Sequence, residues 1–314
     1  MKRLVLVDGF SILHRAYHAY PISIATSKGE MVNAVYGFTR ILLKIIDDLK
    51  PTHLAVAFDL PKPTFRHKEY IGYQVQRPKM DQELEGQIER TKQVLTALNI
   101  PLFSKEGYEA DDVIGTLVTK VVSKKKKKKE MEVVVVTGDK DLLQLVRSGV
   151  KIYLPKRTFG EAELYDSKKV KELMGLLPSQ VVDYKALVGD ASDNYPGVSG
   201  IGPKTAVSLL LEFGTLDGIY KNKNKLAGKV AERLKEGEES AYLSRKLAKI
   251  VENVPIKLKL VDCCLHDYDQ ERAKKLFEEL EFKTLLNKLP GKKKEDGEEK
   301  TEGRKKEDKQ LELL

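Results

Sequence analysis

Short apolar runs that alternate with helical patterns constrain this chain more than any other feature of its sequence. Arg3–Val7, His53–Phe58, Pro101–Phe103, Glu132–Val136 and Val150–Leu154 are apolar stretches of strand length. Between them, Met31–Leu49 places Val32, Val35, Phe38, Ile41, Leu42, Ile45, Ile46 and Leu49 at helical spacing. Glu83–Leu98, Asp111–Val122 and Asp139–Val146 also read as helices. Continuous apolar strands separated by helices predict a parallel sheet covered on both faces. From about Ser167 only helices are expected, at Ser167–Met174, Pro178–Val188, Lys204–Glu212, Ala227–Ile250 and Arg272–Leu286. The segment Asp59–Arg77, rich in Pro, Lys, Arg and Tyr, lacks apolar periodicity and is expected to project over the sheet edge. The expected organisation is an α/β core over residues 1–166, a helical region over 167–290 and a disordered charged tail over 291–314.

Charge narrows the function. Lys and Arg number 56 against 47 Asp and Glu, a net charge of +9. Residues 291–314 hold eight of each sign, so the excess lies in the body, six of it in the loop-like run Lys124–Lys129. Nine body carboxylates group by motif, as set out next, and the rest of the body without them carries +18. A basic surface around an acidic pocket implies a polyanionic substrate and divalent cations. No apolar run approaches the ~18 residues of a membrane helix. The two cysteines, Cys263 and Cys264, are adjacent, which offers neither a disulfide framework nor a zinc site and fits a reducing cytoplasm.

Ligands of parallel α/β sheets bind beyond the carboxyl ends of the strands. Asp8 ends the first apolar run, Asp59 ends the second, and Asp139 and Asp141 follow the fourth in Thr137-Gly-Asp-Lys-Asp141. Glu109, Asp111 and Asp112 open a helix, and Asp190 and Asp193 lie in Gly189-Asp-Ala-Ser-Asp-Asn194. Singly, each fits a helix cap or a turn. Together, so many negative groups on one edge would repel unless cations neutralised them. Ligands that are all oxygen point to Mg²⁺ or Mn²⁺. Room for two such ions suits phosphodiester hydrolysis by in-line displacement. The five histidines show no Ser-His-Asp spacing and no zinc signature, and the sequence assigns them no role.

A second motif runs from Asp193 to Ala206. Gly197, Gly202 and Lys204-Thr205 nearly match a phosphate-binding P-loop, but Pro203 intrudes and Asp-Asn-Tyr-Pro replaces the required strand, so ATP binding is rejected. A helix–hairpin–helix fits better. Gly197, Gly200 and Gly202 let the backbone approach a phosphate, Pro203 starts a helix, and Lys204 and Thr205 add a charge and a hydroxyl. Such contacts position nucleic acid without reading its sequence.

These motifs together resemble the flap endonuclease family, in the form of the 5′-nuclease domain of bacterial DNA polymerase I. The resemblance covers Lys2 to about Leu289 through Val7-Asp8-Gly9, Phe58-Asp59, Thr64-Phe65-Arg66, Tyr108–Asp112, Thr137–Asp141, Gly189–Asn194 and Gly197–Ala206. It implies a PIN-like parallel-sheet nuclease core, a helical arch near residues 60–100, and an all-helical region with a helix–hairpin–helix module near 190–212. By family motif, Asp8, Asp59, Glu109 and Asp111 would hold one metal ion. Asp111, Asp139, Asp141 and Asp193 would surround a second, with Asp112 and Asp190 as ligands or in the next layer. The resemblance also implies a K⁺ ion on backbone carbonyls near Val198 and Ile201, and roles at the scissile phosphate and unpaired strand for Arg66, Tyr73 and Arg77. Where the family reads Tyr-Lys-x-x-Arg-Pro, this chain has Tyr73-Gln74-Val75-Gln76-Arg77-Pro78, so Gln74 replaces the phosphate-clamping lysine.

The implied function is a Mg²⁺-dependent nuclease of DNA replication and repair, cutting at 5′ flaps and acting 5′→3′ on nicked or recessed duplex ends. A PIN-type ribonuclease and a non-catalytic DNA-junction binder are the alternatives; the hairpin disfavours the first and the complete acidic set the second. A cytoplasmic, nucleoid-associated monomer is expected, either stand-alone or part of a longer polymerase. The end Lys309-Gln310-Leu311-Glu312-Leu313-Leu314 is similar to the short motif by which bacterial replication proteins dock on the sliding clamp, with Gln310, Leu311, Leu313 and Leu314 as its contacts.

Overall fold

The computed structural model describes residues 2–123, 131–156, 161–265 and 268–289. The lysine run and the clamp-like C-terminal end lie outside the described residues. The first half follows the order β1 (Lys2–Asp8), α1 (Gly9–Ala19), α2 (Asn33–Leu49), β2 (His53–Ala57), α3 (Phe65–Glu69), α4 (Gln82–Ala97), β3 (Leu102–Phe103), α5 (Ala110–Ser123), β4 (Met131–Val136), β5 (Val150–Pro155) and β6 (Ala162–Tyr165). The helical half follows as α6 (Ser167–Met174), α7 (Val181–Val188), α8 (Pro203–Phe213), α9 (Leu216–Lys221), α10 (Gly228–Glu236), α11 (Glu238–Ala248), α12 (Gln270–Glu279) and α13 (Lys283–Leu286).

One six-stranded sheet, ordered β3-β2-β1-β4-β5-β6, is parallel except for β6. Alternation along each central strand feeds both faces. Val5 and Val7 of β1, Val56 of β2 and Val134 and Val136 of β4 join α1, α2 and α4 in one core. Leu4 and Leu6, Ala55 and Ala57, and Val133 and Val135 meet α5 and the turn after β4 in the other. Register then does the positioning. Val7 lies opposite both Val56 and Val136, so the chain leaves β1, β2 and β4 at one edge, near Asp8, Asp59 and Thr137.

The structure departs from the sequence reading in several places. Helix α1, helix α9 and the antiparallel edge strand β6 had no counterpart there. The expected helix Asp139–Val146 is a 3-10 turn of five residues, Asp141–Leu145. Ala227–Ile250 is broken into α10 and α11 at Gly237, where a Cβ would meet Val198 Cγ1 at 2.8 Å. Arg272–Leu286 is likewise broken, and α12 and α13 return to the first core through Phe277, Phe282 and Leu285. In the segment expected to arch, Leu84, Val94 and Leu95 of α4 are buried in that same core, and only the residues before it cross the site. The crossing segment does not simply project, because Tyr73 is buried beside Tyr195, Leu247 and Ala248.

Candidate active site

Asp8 does two jobs at the end of β1. Its backbone completes the strand, and its side chain caps α1 by accepting from Ser11 N at 3.1 Å. The other oxygen accepts from the Thr137 hydroxyl at 2.8 Å, joining β1 to the end of β4. Asp59 accepts from Ala110 N at 2.8 Å and so fixes the start of α5, which carries Asp111 and Asp112 in its first turn directly after Glu109. Asp139 accepts from Asp141 N at 2.7 Å in the turn after β4. Asp190 and Asp193 arrive from the loop after α7, where Asp190 and Tyr195 exchange backbone hydrogen bonds of 2.9 and 3.1 Å.

These carboxylates form a continuous electrostatic group. Asp111 feels Asp8, Asp139, Asp59 and Glu109, and Asp139 in turn feels Asp193 and Asp190. Burial, then the charges of Asp59 and Asp139, pushes Asp8 up to about 7. Glu109 is also raised to about 7, by burial first and then by Asp112, Asp59 and Asp193 against the pull of Arg66. Asp141 reaches about 7 through burial and Asp139. Asp111 is raised well above the ordinary carboxylate value, by burial first. Among the described residues no three of these groups draw together closely enough to enclose an ion by themselves. Like charge spreads them and protein donors hold them. Even so, an all-carboxylate donor set in which burial and repulsion disfavour the ionised form is one that a hard divalent cation fits.

Asp112 and Asp190, two of the nine expected acidic residues, each combine a cationic partner with backbone donors. Asp112 is fully buried and makes a two-pronged pair with Arg66, at 2.7 and 2.9 Å, while also accepting from Val251 N at 2.8 Å. Asp190 is bonded to Lys185 and accepts from Ser192 N at 2.7 Å and Asp193 N at 3.1 Å. Against the cost of burial, Lys185 and Ser192 hold its pKa below the usual carboxylate range. Both therefore have their carboxylate oxygens engaged by protein donors.

Arg66 and Tyr73 also differ from expectation. Arg66 is 3% exposed, and its guanidinium binds Asp112, Glu109 at 3.2 Å, Leu247 O at 2.8 Å and Lys249 O at 3.1 Å. With its donors spent inside the protein, it positions the ring and does not face a phosphate. Tyr73 is 3% exposed, and its hydroxyl lies 3.2 Å from Glu109 Oε2 and 3.3 Å from Asp193 Oδ2, so the ring is not free to stack on a base. Arg77 is exposed and within electrostatic reach of Asp59. Gln74 takes an unexpected place: its amide donates to Asp193 Oδ1 at 2.9 Å, its backbone N–H donates to Asp193 O at 2.9 Å, and Asn194 Nδ2 donates to Gly72 O at 2.7 Å. The crossing segment is thereby clasped to the hairpin loop.

Sequence reasoning missed Lys185. Its ammonium reaches Asp141 Oδ1 at 2.6 Å and also bonds Asp190. The available signal was a lysine inside the apolar stretch Val181–Val188. Against burial, Asp141 and Asp190 raise its pKa, so it stays charged.

The hairpin is built as a close approach. Gly197 has φ +63°, and a Cβ there would meet Gly189 N at 2.3 Å. Ser244 and Ser240 of α11 hold it, receiving from Gly197 N at 3.0 Å and donating to Gly197 O at 2.6 Å. Gly200 has φ +77° and accepts from Arg233 at 2.7 Å. Val198 and Ile201 are buried, and Ile201 N donates to Val198 O at 3.0 Å. Gly202 and Lys204 are exposed and Thr205 is half-buried at the start of α8.

Comparison with known proteins places these features. Residues 3–175 match the family model of the 5′-3′ exonuclease N-terminal resolvase-like domain, and residues 176–271 match the 5′-3′ exonuclease C-terminal SAM fold. DNA polymerase I of Caldicellulosiruptor bescii is 41% identical over 289 residues, covering 91% of this chain and 33% of that protein. DNA polymerase I of Bacillus caldotenax is 42% identical over 289 residues, covering 92% and 32%. The chain thus spans about a third of the length of these relatives. In fold it is similar to the phage T5 D15 protein co-crystallised with metal ions, with TM-score 0.65, 21% identity and coverage of 90% and 99%. The catalytic core of Rad2 in complex with DNA substrate gives TM-score 0.58 at 16% identity, with coverage of 89% and 87%.

Proposed function

Because the chain belongs to the 5′-3′ exonuclease family, we propose that it hydrolyses DNA phosphodiesters at 5′ flaps and at nicked or recessed duplex ends, with Mg²⁺ or Mn²⁺ on its carboxylate ring. The carrying observation is the convergence of Asp8, Asp59, Glu109, Asp111, Asp139, Asp141 and Asp193 at one sheet edge, with the hairpin joined to it through Asp190–Tyr195. Asp8, Asp59, Glu109 and Asp111 would hold one ion, and Asp111, Asp139, Asp141 and Asp193 a second. Such ions supply the nucleophile activation and charge neutralisation of phosphodiester hydrolysis. The chain itself supplies placement. Thr137 and Ser11 N fix Asp8, the Arg66–Asp112 pair fixes the start of α5, and Lys185 offsets part of the negative charge.

Gly202, Lys204 and Thr205 open α8 toward solvent, where backbone and ammonium can grip duplex phosphates. K⁺ on the carbonyls of Val198 and Ile201 would stiffen that hairpin. Arg77, exposed beside Asp59, would meet the scissile phosphate or the unpaired strand. A tail ending in Gln310, Leu311, Leu313 and Leu314 would dock a nucleoid-associated monomer on the sliding clamp, and its removal should end clamp pull-down while sparing cleavage of free oligonucleotides. The deciding experiment incubates the protein with labelled 5′-flap DNA, single-stranded DNA and single-stranded RNA, with Mg²⁺ or EDTA. Flap cleavage that requires Mg²⁺ is expected; cleavage confined to RNA, or binding without cleavage, overturns the proposal.

A further inference from the structure

The sequence assigns the histidines no role, yet the structure brings two of them together. His14 and His18 lie one turn apart on the exposed face of α1, with Nε2 atoms 3.1 Å apart. Their rings meet edge to face, centroids 4.4 Å apart and planes at 69°. We propose that His14 and His18 form a two-imidazole site for a transition-metal dication of the zinc type, separate from the carboxylate ring.

Geometry carries the proposal. Histidines at i and i+4 of a helix share a face, the spacing that zinc-binding helices use. For metal–nitrogen bonds of about 2.05 Å, nitrogens 3.1 Å apart subtend about 98° at the metal, between octahedral and tetrahedral angles. The spacing of the two nitrogens is therefore one that a single chelated ion can span. Without metal, the 3.1 Å contact is a hydrogen bond when one neutral imidazole carries its proton on Nε2 and the other on Nδ1. In the metal-bound form both rings carry their proton on Nδ1, leaving both Nε2 lone pairs for the ion.

The surroundings suit a partly open site. Asp81, which bonds Tyr17 on the same helix, lies within electrostatic reach of His14 and supplies a negative neighbour, while Arg77 opposes it. Solvent can fill the remaining positions, since both histidines are exposed. Imidazole selects zinc-type ions over Mg²⁺, so excess Mg²⁺ competes for the carboxylates and not for this pair.

Calorimetric titration of the full chain with Zn²⁺ in excess Mg²⁺ tests the site. One Zn²⁺ is expected, with affinity reduced at least about tenfold in His14→Ala and in His18→Ala. The Nε2 signals of both residues should shift together in spectra of ¹⁵N-histidine-labelled protein. Flap cleavage in Mg²⁺ alone should be unchanged in either variant, which also shows that they fold. Cys264 Sγ lies 3.4 Å from His53 Nε2 and is a rival zinc ligand, so Cys264→Ser serves as the control. Absence of Zn²⁺ binding, equal binding by the histidine variants, or loss of binding in Cys264→Ser alone overturns the proposal.

Discussion

Asp139 and Asp193 are held differently, and the difference sets what their removal does. Asp139 is exposed and, among the described residues, accepts from its own turn, whereas Asp193 is clasped by Tyr73 and Gln74. Replacing Asp139 by Ala should lower flap cleavage at least about 100-fold, as expected for loss of a transition-state contact, yet keep or tighten DNA binding, because a negative charge near phosphate is gone. Asp193→Ala should match it in cleavage but also release the crossing segment, seen as faster amide exchange around residues 72–74. Cleavage within tenfold of wild type in both variants would disprove their assignment as metal ligands. Gln74 offers a second test. A lysine in its place should raise the single-turnover rate by offsetting charge developing on the phosphate. If Asp193 captures the ammonium instead, as the 2.9 Å amide contact allows, the rate will stay level or fall.

Among the elements, the hairpin separates a folding glycine from a binding one. Gly202 has nothing within 4 Å of a built Cβ, so Gly202→Val should leave the melting temperature near wild type while weakening duplex binding. At Gly197 a Cβ would strike backbone, so Gly197→Val should lower stability by several kcal/mol, roughly the cost of strain plus overpacking. At the entry end of the sheet, Glu132 of β4 pairs with Arg3 of β1 at 2.8 Å and Lys151 of β5 at 2.9 Å. Against the burial that would raise it, Lys151 and Arg3 hold its pKa below the ordinary 4.5. A lowered folded-state pKa stabilises above the unfolded value and is lost as pH falls through the folded one. Glu132→Gln should therefore cost about 1 kcal/mol at neutral pH, a difference that shrinks as pH falls below the ordinary carboxylate range, as a series of urea titrations from pH 7 downward would show.

What the sequence made legible follows from periodicity and motif. Continuous runs such as Val133–Val136 announce a buried parallel strand, and acidic residues directly after such runs mark its binding edge. Breaks were hidden: Gly237, where the helical pattern is interrupted, packs against Val198 of a distant loop. The burial of Arg66 was hidden for the same reason, its acceptors being more than 40 residues away.

For the whole molecule, charge distribution gives the broadest expectation. Duplex affinity should fall at least about 100-fold between roughly 50 and 200 mM salt, the loss for about four neutralised phosphates; affinity indifferent to salt would remove the hairpin from the binding surface. The Arg66 guanidinium carries a further implication. It joins α3 to α5 and to the carbonyls of Leu247 and Lys249, while Asp112 receives Val251 N, so the chain beyond α11 completes a buried ion pair of the first half. The family-model boundary between residues 175 and 176 is thus a seam in alignment and not in the molecule. A chimera that exchanged the helical half for a foreign one would keep the Arg66–Asp112 pair but would have to supply backbone partners in place of Leu247 O, Lys249 O and Val251 N. Directed shuffling of such nucleases should therefore keep residues 247–251 matched to α3 and α5, whatever point is chosen for the crossover.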